Sequence, residues 1–257
     1  MHLAEGPGGH VARMALSRPP LNVLDTPMLL EMAAAVHSVT RAPIATRPRV
    51  LLLTSDIPGQ FSLGVDPNAV LSTDIAGRAA IFMALADLVE ALWFGGIPVV
   101  ADISGPAIAG GAVLAAVADF AVIDGQVGKI SFSETKVGLP LPGFIQQLIR
   151  SKIAPPSWNE VMLLGKNIDA SEAQRIGFAN ATYKTPTERE EVLGSLVGRI
   201  ARLAPAVLAQ TLTEGRAAGR HAIAEFRANI GPFSAFLGDD YLGKGMQALA
   251  KGESPRF

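Results

Sequence analysis

The chain has 257 residues, 22 Lys and Arg against 23 Asp and Glu, and no cysteine. Near-zero net charge without a basic run or basic face leaves no electrostatic footprint for a nucleic-acid partner, and the lack of cysteine excludes disulfides, thiolate nucleophiles and cysteine-ligated metals. Hydrophobic residues make up 49% and charged residues 18%, a balance that points to apolar surface buried between subunits or around a hydrophobic ligand.

The first residues lack a basic start followed by an apolar core, so no leader is expected. Residues 98 to 123 are strongly apolar, but Asp102, Asp119, Pro106 and several glycines interrupt them, which would be costly in lipid. A soluble cytoplasmic protein is the expectation. The four histidines, His2, His10, His37 and His221, have no metal-ligand spacing. No metal site is predicted.

Val11, Met14 and Leu16 predict a strand ending at Arg18-Pro19-Pro20, and Asp25-Thr26-Pro27 supplies the cap and first turn of a helix to about Val39. The run from Arg49 to Thr54 reads as a buried strand, followed by a turn-rich stretch from Asp56 to Asp66. An amphipathic helix is expected from about Ile75 to Trp93. It leads to a strand at Pro98 to Ile103, a glycine-rich turn at Ser104 to Gly111, an alanine-rich helix to Ala118, and two strands at 119–123 and 129–133. Helical candidates then cover 142–153, 157–164, 171–176, 188–203, 206–218, 221–230 and 239–251. Alternating strands and helices predict an α/β fold with mainly parallel sheet. The predicted division is a core over 1–200 with a helical C-terminal region over 201–257.

Three segments carry candidate chemistry: Gln60 to Asp66, Ser104 to Leu114, and Phe132 to Gly143. In the first two a strand ends in a tight turn whose glycines let the backbone approach a ligand and leave amides unpaired at a helix start, ready to meet developing negative charge. Neither turn has dinucleotide or phosphate-loop spacing, and no GxSxG elbow occurs. Asp66 alone reads as a turn or cap carboxylate, and Glu134 alone as a solvated glutamate beside Lys136. Phe132, Val137, Leu139, Leu141 and Phe144 would serve as apolar walls or as ordinary core.

In order, these segments resemble the enoyl-CoA hydratase/isomerase, or crotonase, superfamily. Arg18-Pro-Pro-Leu-Asn-Val-Leu24 is similar to its early motif, Phe61-Ser-Leu-Gly-Val-Asp66 to its F-S-A-G-x-D loop, and Gly105-Pro-Ala-Ile-Ala-Gly-Gly-Ala-Val-Leu-Ala115 with Asp119 to its helix entry. Ser171 to Phe178 and Tyr241 to Phe257 resemble its later elements. The resemblance implies a crotonase-like ββα spiral core with a C-terminal trimerisation region, hence a homotrimer or dimer of trimers. It implies an acyl-CoA thioester substrate and no cofactor beyond the coenzyme A that the substrate carries.

By the same resemblance, the backbone amides of Val65 and Gly110 form the oxyanion hole and Glu134 is the catalytic carboxylate. Ser62, Leu63, Gly64, Asp66, Gly111, Val113 and Leu139 surround the substrate, and Arg18, Lys244 and Lys251 are candidates to meet coenzyme A phosphates. Family hydratases use two glutamates, and Val113 occupies the first of those positions. Valine cannot activate water, so the resemblance favours the isomerase branch, where one glutamate moves the proton. The alternatives are an enoyl- or dienoyl-CoA hydratase, a decarboxylase or thioester hydrolase, and an inactive acyl-CoA-binding relative.

Overall fold

The computed structural model describes residues 2–5 and 11–257. Its main sheet has six strands in the order β1-β2-β3-β4-β6-β9: β1 His2–Glu5, β2 Val11–Leu16, β3 Val50–Ser55, β4 Val99–Ile103, β6 Phe120–Asp124 and β9 Ala181–Tyr183. β1 pairs antiparallel to β2, and every other pairing in this sheet is parallel. The inner strands are covered on both faces, which is why VLLLTS and VVADI read as near-continuous apolar runs. Leu51, Leu53, Val99 and Ala101 face the principal core, which includes α1 Thr26–Thr40, α3 Ile75–Phe94 and α4 Gly110–Val117. Val50, Val100 and Val122 turn to the opposite side, against Leu193 and Ile200 of α8 Pro186–Ala201.

On that second side Asp102 is fully buried on β4. It accepts hydrogen bonds from Thr54 Oγ1 at 2.9 Å, Tyr183 OH at 3.2 Å and Arg189 Nε at 2.9 Å, tying β3, β9 and α8 to one carboxylate. Among the described residues, no single helix is long and apolar enough to cross a bilayer.

A smaller sheet holds β5 Pro106–Ile108, β7 Lys129–Ser131 and β8 Ile168–Asp169, with β5 and β7 parallel. Its edge is extended by loop backbone. Residues 61–62 bond to β5 through Ser62 N to Pro106 O at 3.0 Å and Ile108 N to Ser62 O at 2.9 Å, with Ser62 and Ala107 forming a parallel bridge. Residues 21–24 join the far side of that loop. Leu63 N donates to Leu21 O at 3.1 Å, Leu24 N to Gly64 O at 2.8 Å and Asp66 N to Leu24 O at 2.9 Å. Four extended segments, 21–24, 62–65, β5 and β7, therefore run side by side in one direction.

The predicted cap forms. Asp25 accepts from Met28 N and starts α1 as expected, and Asp74, for which no cap was predicted, does the same for α3 by accepting from Gly77 N. The predicted strand 129–133 stops at Ser131, and Glu134 opens a 3-10 turn, Glu134–Val137. The remaining α-helices are α5 Gly143–Arg150, α6 Trp158–Met162, α7 Ala170–Arg175, α9 Pro205–Gly215, α10 Ala217–Ala228, α11 Ile230–Leu237 and α12 Asp240–Ala250. α10 meets α3 and α5, and α12 lies over the 3-10 turn and over α2 Pro67–Leu71. His10 lies outside the described residues.

Candidate active site

The four parallel segments deliver the candidate residues to one place, because each ends in a turn on the same side of the sheet. Leu24 leads to the Asp25 cap of α1, Val65 to the Asp66 cap of α2, Ile108 to α4, and Ser131 to the Glu134 turn. Ligand sites in parallel sheets lie beyond the carboxyl ends of strands. A cavity of about 450 Å³ opens there.

Two backbone amides face this cavity from neighbouring segments. Gly110 begins α4, so its N–H has no intrahelical acceptor, and the Val65 N–H has no acceptor among the described residues. Ala109, with φ of 49°, makes the sharp turn before Gly110, a conformation uncommon for residues bearing a β-carbon. A β-carbon placed on Gly110 would lie 3.4 Å from Val65 N, so the two turns pack closely at this point. Gly64 makes this approach feasible: its φ is +82°, and a β-carbon there would sit 2.7 Å from both Gly110 N and Ile108 O.

The Glu134 side chain is 7% exposed, lines the cavity, and has one carboxylate oxygen, Oε2, buried without a hydrogen-bond partner. Burial in this apolar setting pushes its pKa up to about 7, opposed by a backbone hydrogen bond within Glu134 itself. Lys136 does not neutralise it, since its ammonium donates to Gly165 O. The solvated-glutamate reading is thereby overturned: this carboxylate is buried and lines the same cavity as Val65 and Gly110.

The other predicted site residues divide into lining and scaffold. Leu63, Asp66 and Leu139 line the cavity. Ser62, Gly64, Gly111 and Val113 do not, and they shape it from behind. Ser62 is fully buried, donating to Asn22 O at 2.7 Å and accepting from Gly64 N at 3.1 Å. Gly111 lets α4 pass against Ser62, whose carbonyl oxygen would be 2.2 Å from a β-carbon there. Val113 is fully buried in α4, among its neighbours in the core.

Asp66 is a cap, as its sequence position suggests: it accepts from Asn68 N at 2.9 Å and meets Arg18 Nη2 at 3.5 Å. Arg18 also pairs with Asp25 at 2.8 Å, while Lys244 and Lys251 are exposed on and after α12. Of the proposed apolar walls, Val137 and Leu139 line the cavity, whereas Phe132, Leu141 and Phe144 belong to the core.

The family resemblance places the pocket wall on the helix near Ala69 to Phe94 and on later helices without naming residues, and the structure supplies them: Phe82 and Leu85 of α3, Ile145 of α5, and Met246, Leu249 and Ala250 of α12. Sequence reasoning missed the buried Asn22, whose Nδ2 bonds Ser55 Oγ and Phe61 O, both at 2.8 Å, and pins the amide-bearing loop. Asn22 stands inside the early motif, so that signal was present without an assigned role.

A model of the enoyl-CoA hydratase/isomerase family matches residues 7–257. The chain belongs to the enoyl-CoA hydratase/isomerase family. Among family relatives it is 25% identical over 245 residues to human "Enoyl-CoA delta isomerase 1, mitochondrial", covering 93% of this chain and 79% of that one. It is 27% identical over 207 residues to a "Putative enoyl-CoA hydratase" of Thermus thermophilus, covering 79% of each. The crystal structure of human mitochondrial delta3-delta2-enoyl-CoA isomerase shares its fold, with a TM-score of 0.90 at 22% identity over 98% of this chain and 96% of that one. The crotonase fold and an acyl-CoA enzyme of isomerase or hydratase type follow.

Proposed function

We propose that this family member is a Δ3,Δ2-enoyl-CoA isomerase in which Glu134 alone carries the proton. Its carboxylate removes a C2 proton from a 3-enoyl thioester, and the electron pair moves through C2 onto the thioester oxygen. The resulting dienolate collapses as the same carboxyl returns the proton at C4, giving the 2-enoyl thioester with no net gain or loss of protons. The N–H groups of Val65 and Gly110 donate to the oxygen as it becomes negative.

The observation that carries this reading is the isolation of Glu134. It is buried with a free oxygen and shares its cavity with two acceptor-less amides, and the position where hydration would need a second carboxylate holds a core valine. Asp66, the other carboxylate lining the cavity, is engaged by Asn68 N and Arg18. Energetics require all three groups. The roughly ten pKa units between an α-proton and a carboxylic acid amount to about 14 kcal/mol. Oxyanion donors contribute about 3 to 4 kcal/mol each and positioning of base and substrate supplies more. A base with pKa near 7 narrows the gap further and is still about half ionised at neutral pH.

The test is to supply purified protein with 3-enoyl-CoA and, separately, crotonyl-CoA. Appearance of the conjugated thioester absorbance with the first and its persistence with the second is expected. Rapid loss of absorbance with crotonyl-CoA would overturn the assignment in favour of hydration.

A further inference from the structure

The cavity has two chemically different ends. Its polar side chains, Asp66, Asn68, Ser133 and Glu134, come from turns at the ends of the parallel segments. The contribution of the longer helices α3, α5 and α12 is wholly apolar: Phe82, Leu85, Ile145, Met246, Leu249 and Ala250. A thioester carbonyl held between the Val65 and Gly110 amides therefore directs its hydrocarbon chain toward the helices, where no polar group interrupts the wall.

The helical walls differ in stiffness. Phe82 contributes the one aromatic side chain among the described lining residues and is 6% exposed. Its ring meets Phe233 of α11 edge-on, with centroids 5.2 Å apart and planes at 77°. Phe233 meets Phe226 of α10 in the same manner at 5.4 Å, and Phe226 packs on Phe144 of α5 at 5.1 Å. Four helices thus lock one ring from behind, and turning Phe82 aside would disturb every contact in the series. The α12 side is softer, since Met246 is unbranched and adaptable and Leu249 is 41% exposed.

We infer that Phe82 is the specificity-determining residue that limits acyl length, its ring closing the hydrocarbon end of the cavity while the α12 side adjusts to the chain it holds. This rests on the isomerase reading for its substrate class. It predicts a sharp upper limit on chain length, because the aromatic series cannot retreat to admit further methylenes.

The experiment measures kcat/KM for straight-chain 3-enoyl-CoA esters of increasing length with the parent, Phe82→Ala, Phe82→Leu and Met246→Ala. The long-to-short preference is expected to rise about tenfold or more in Phe82→Ala, since a single methylene in a hydrophobic pocket changes discrimination by that order. Phe82→Leu, which keeps most of the packing, should give a smaller shift in the same direction, and Met246→Ala little shift. An unmoved length profile in folded Phe82→Leu and Phe82→Ala, or an equal shift in Met246→Ala, would overturn the inference.

Calorimetric binding of saturated acyl-CoA esters, which cannot isomerise, gives the same length limit without turnover. Absent isomerisation with a binding limit that moves in the Phe82 variants would remove the isomerase reading and leave Phe82 as the gate. Normal isomerisation with an unmoved limit would do the reverse.

Discussion

Replacing Glu134 with glutamine separates what this side chain does for chemistry from what it costs the fold. Burial raises the carboxyl pKa from 4.5 to about 7, and two and a half pH units at 1.36 kcal/mol each is about 3 kcal/mol. The folded protein holds the proton more tightly than the unfolded chain does. The carboxyl therefore costs nothing below pH 4.5, destabilises increasingly between pH 4.5 and 7, and exerts its full cost above 7. Glutamine has nearly the same shape and no charge. Glu134→Gln should accordingly melt above the parent at pH 8 by roughly 6 to 12 °C, the shift that about 3 kcal/mol produces in a chain of this size. The difference should disappear near pH 4.5. Differential scanning calorimetry of both proteins without substrate at the two pH values reads this directly, and isomerase turnover of the same samples should fall by about 10²- to 10⁴-fold or more. An equal melting shift at both pH values, or a variant less stable at pH 8, would refute the reasoning. The first result would mean that the carboxyl pKa is not raised on folding, and the second that the carboxylate has a stabilising partner in the folded protein.

Because the ionised form is the base, kcat/KM of the parent should rise with pH and level off above about 7; a profile flat from pH 5 to 9 would remove Glu134 from the proton-transfer step. Gly64→Ala places a β-carbon 2.7 Å from Gly110 N and Ile108 O at a φ of +82°. It should separate the two amides and lower kcat by about 10² to 10³, the usual effect of losing one oxyanion donor; steady-state kinetics with kcat unchanged would contradict that geometry. Gly245→Ala puts a β-carbon 2.3 Å from Val137 O, forcing α12 off the catalytic turn. Water should then reach Glu134, so its kinetic pKa should move down toward 4.5 as activity falls, and an unchanged pKa in the pH–rate profile would show that α12 does not shield it.

Legibility of the fold in the sequence followed how local each determinant is. α1 was readable because Asp25 caps it and α3 because its apolar spacing is long, and β2, β3 and β4 because buried parallel strands are continuous apolar runs. β5, β8 and β9, of three, two and three residues, carry no pattern of their own, since partners distant in sequence define them. α11 was hidden by Gly231 and Pro232, which read as a break yet sit in its first turn, where proline is tolerated.

At the site, Val65, Gly110 and Glu134 were named through the resemblance of short local motifs to the family's, and the fold brings all three to one cavity. Phe82, Ile145 and Met246 were not named, because an apolar residue facing a cavity has the same periodicity as one facing the core. Asp102 with Tyr183 and Arg189 was likewise invisible, its partners being brought together only by the sheet and α8.

The close crossing of α12 over the 3-10 turn gives the site a history as well as a shape. Gly245 meets Val137 backbone to backbone, Gly138 does the same with Tyr241, and Met246 lies against the cavity, so these contacts join parts of the chain far apart in sequence. Contacts of that range close late in folding, after the loop entropy between them has been overcome. The amide-bearing loops would thus be in place while the hydrocarbon trough is still open to water, and competence would arrive in one late docking step. During that interval the trough is an exposed apolar surface, and a folding chain would be most prone to association there. The helix that keeps Glu134 dry in the finished enzyme is also the element whose arrival ends that exposure.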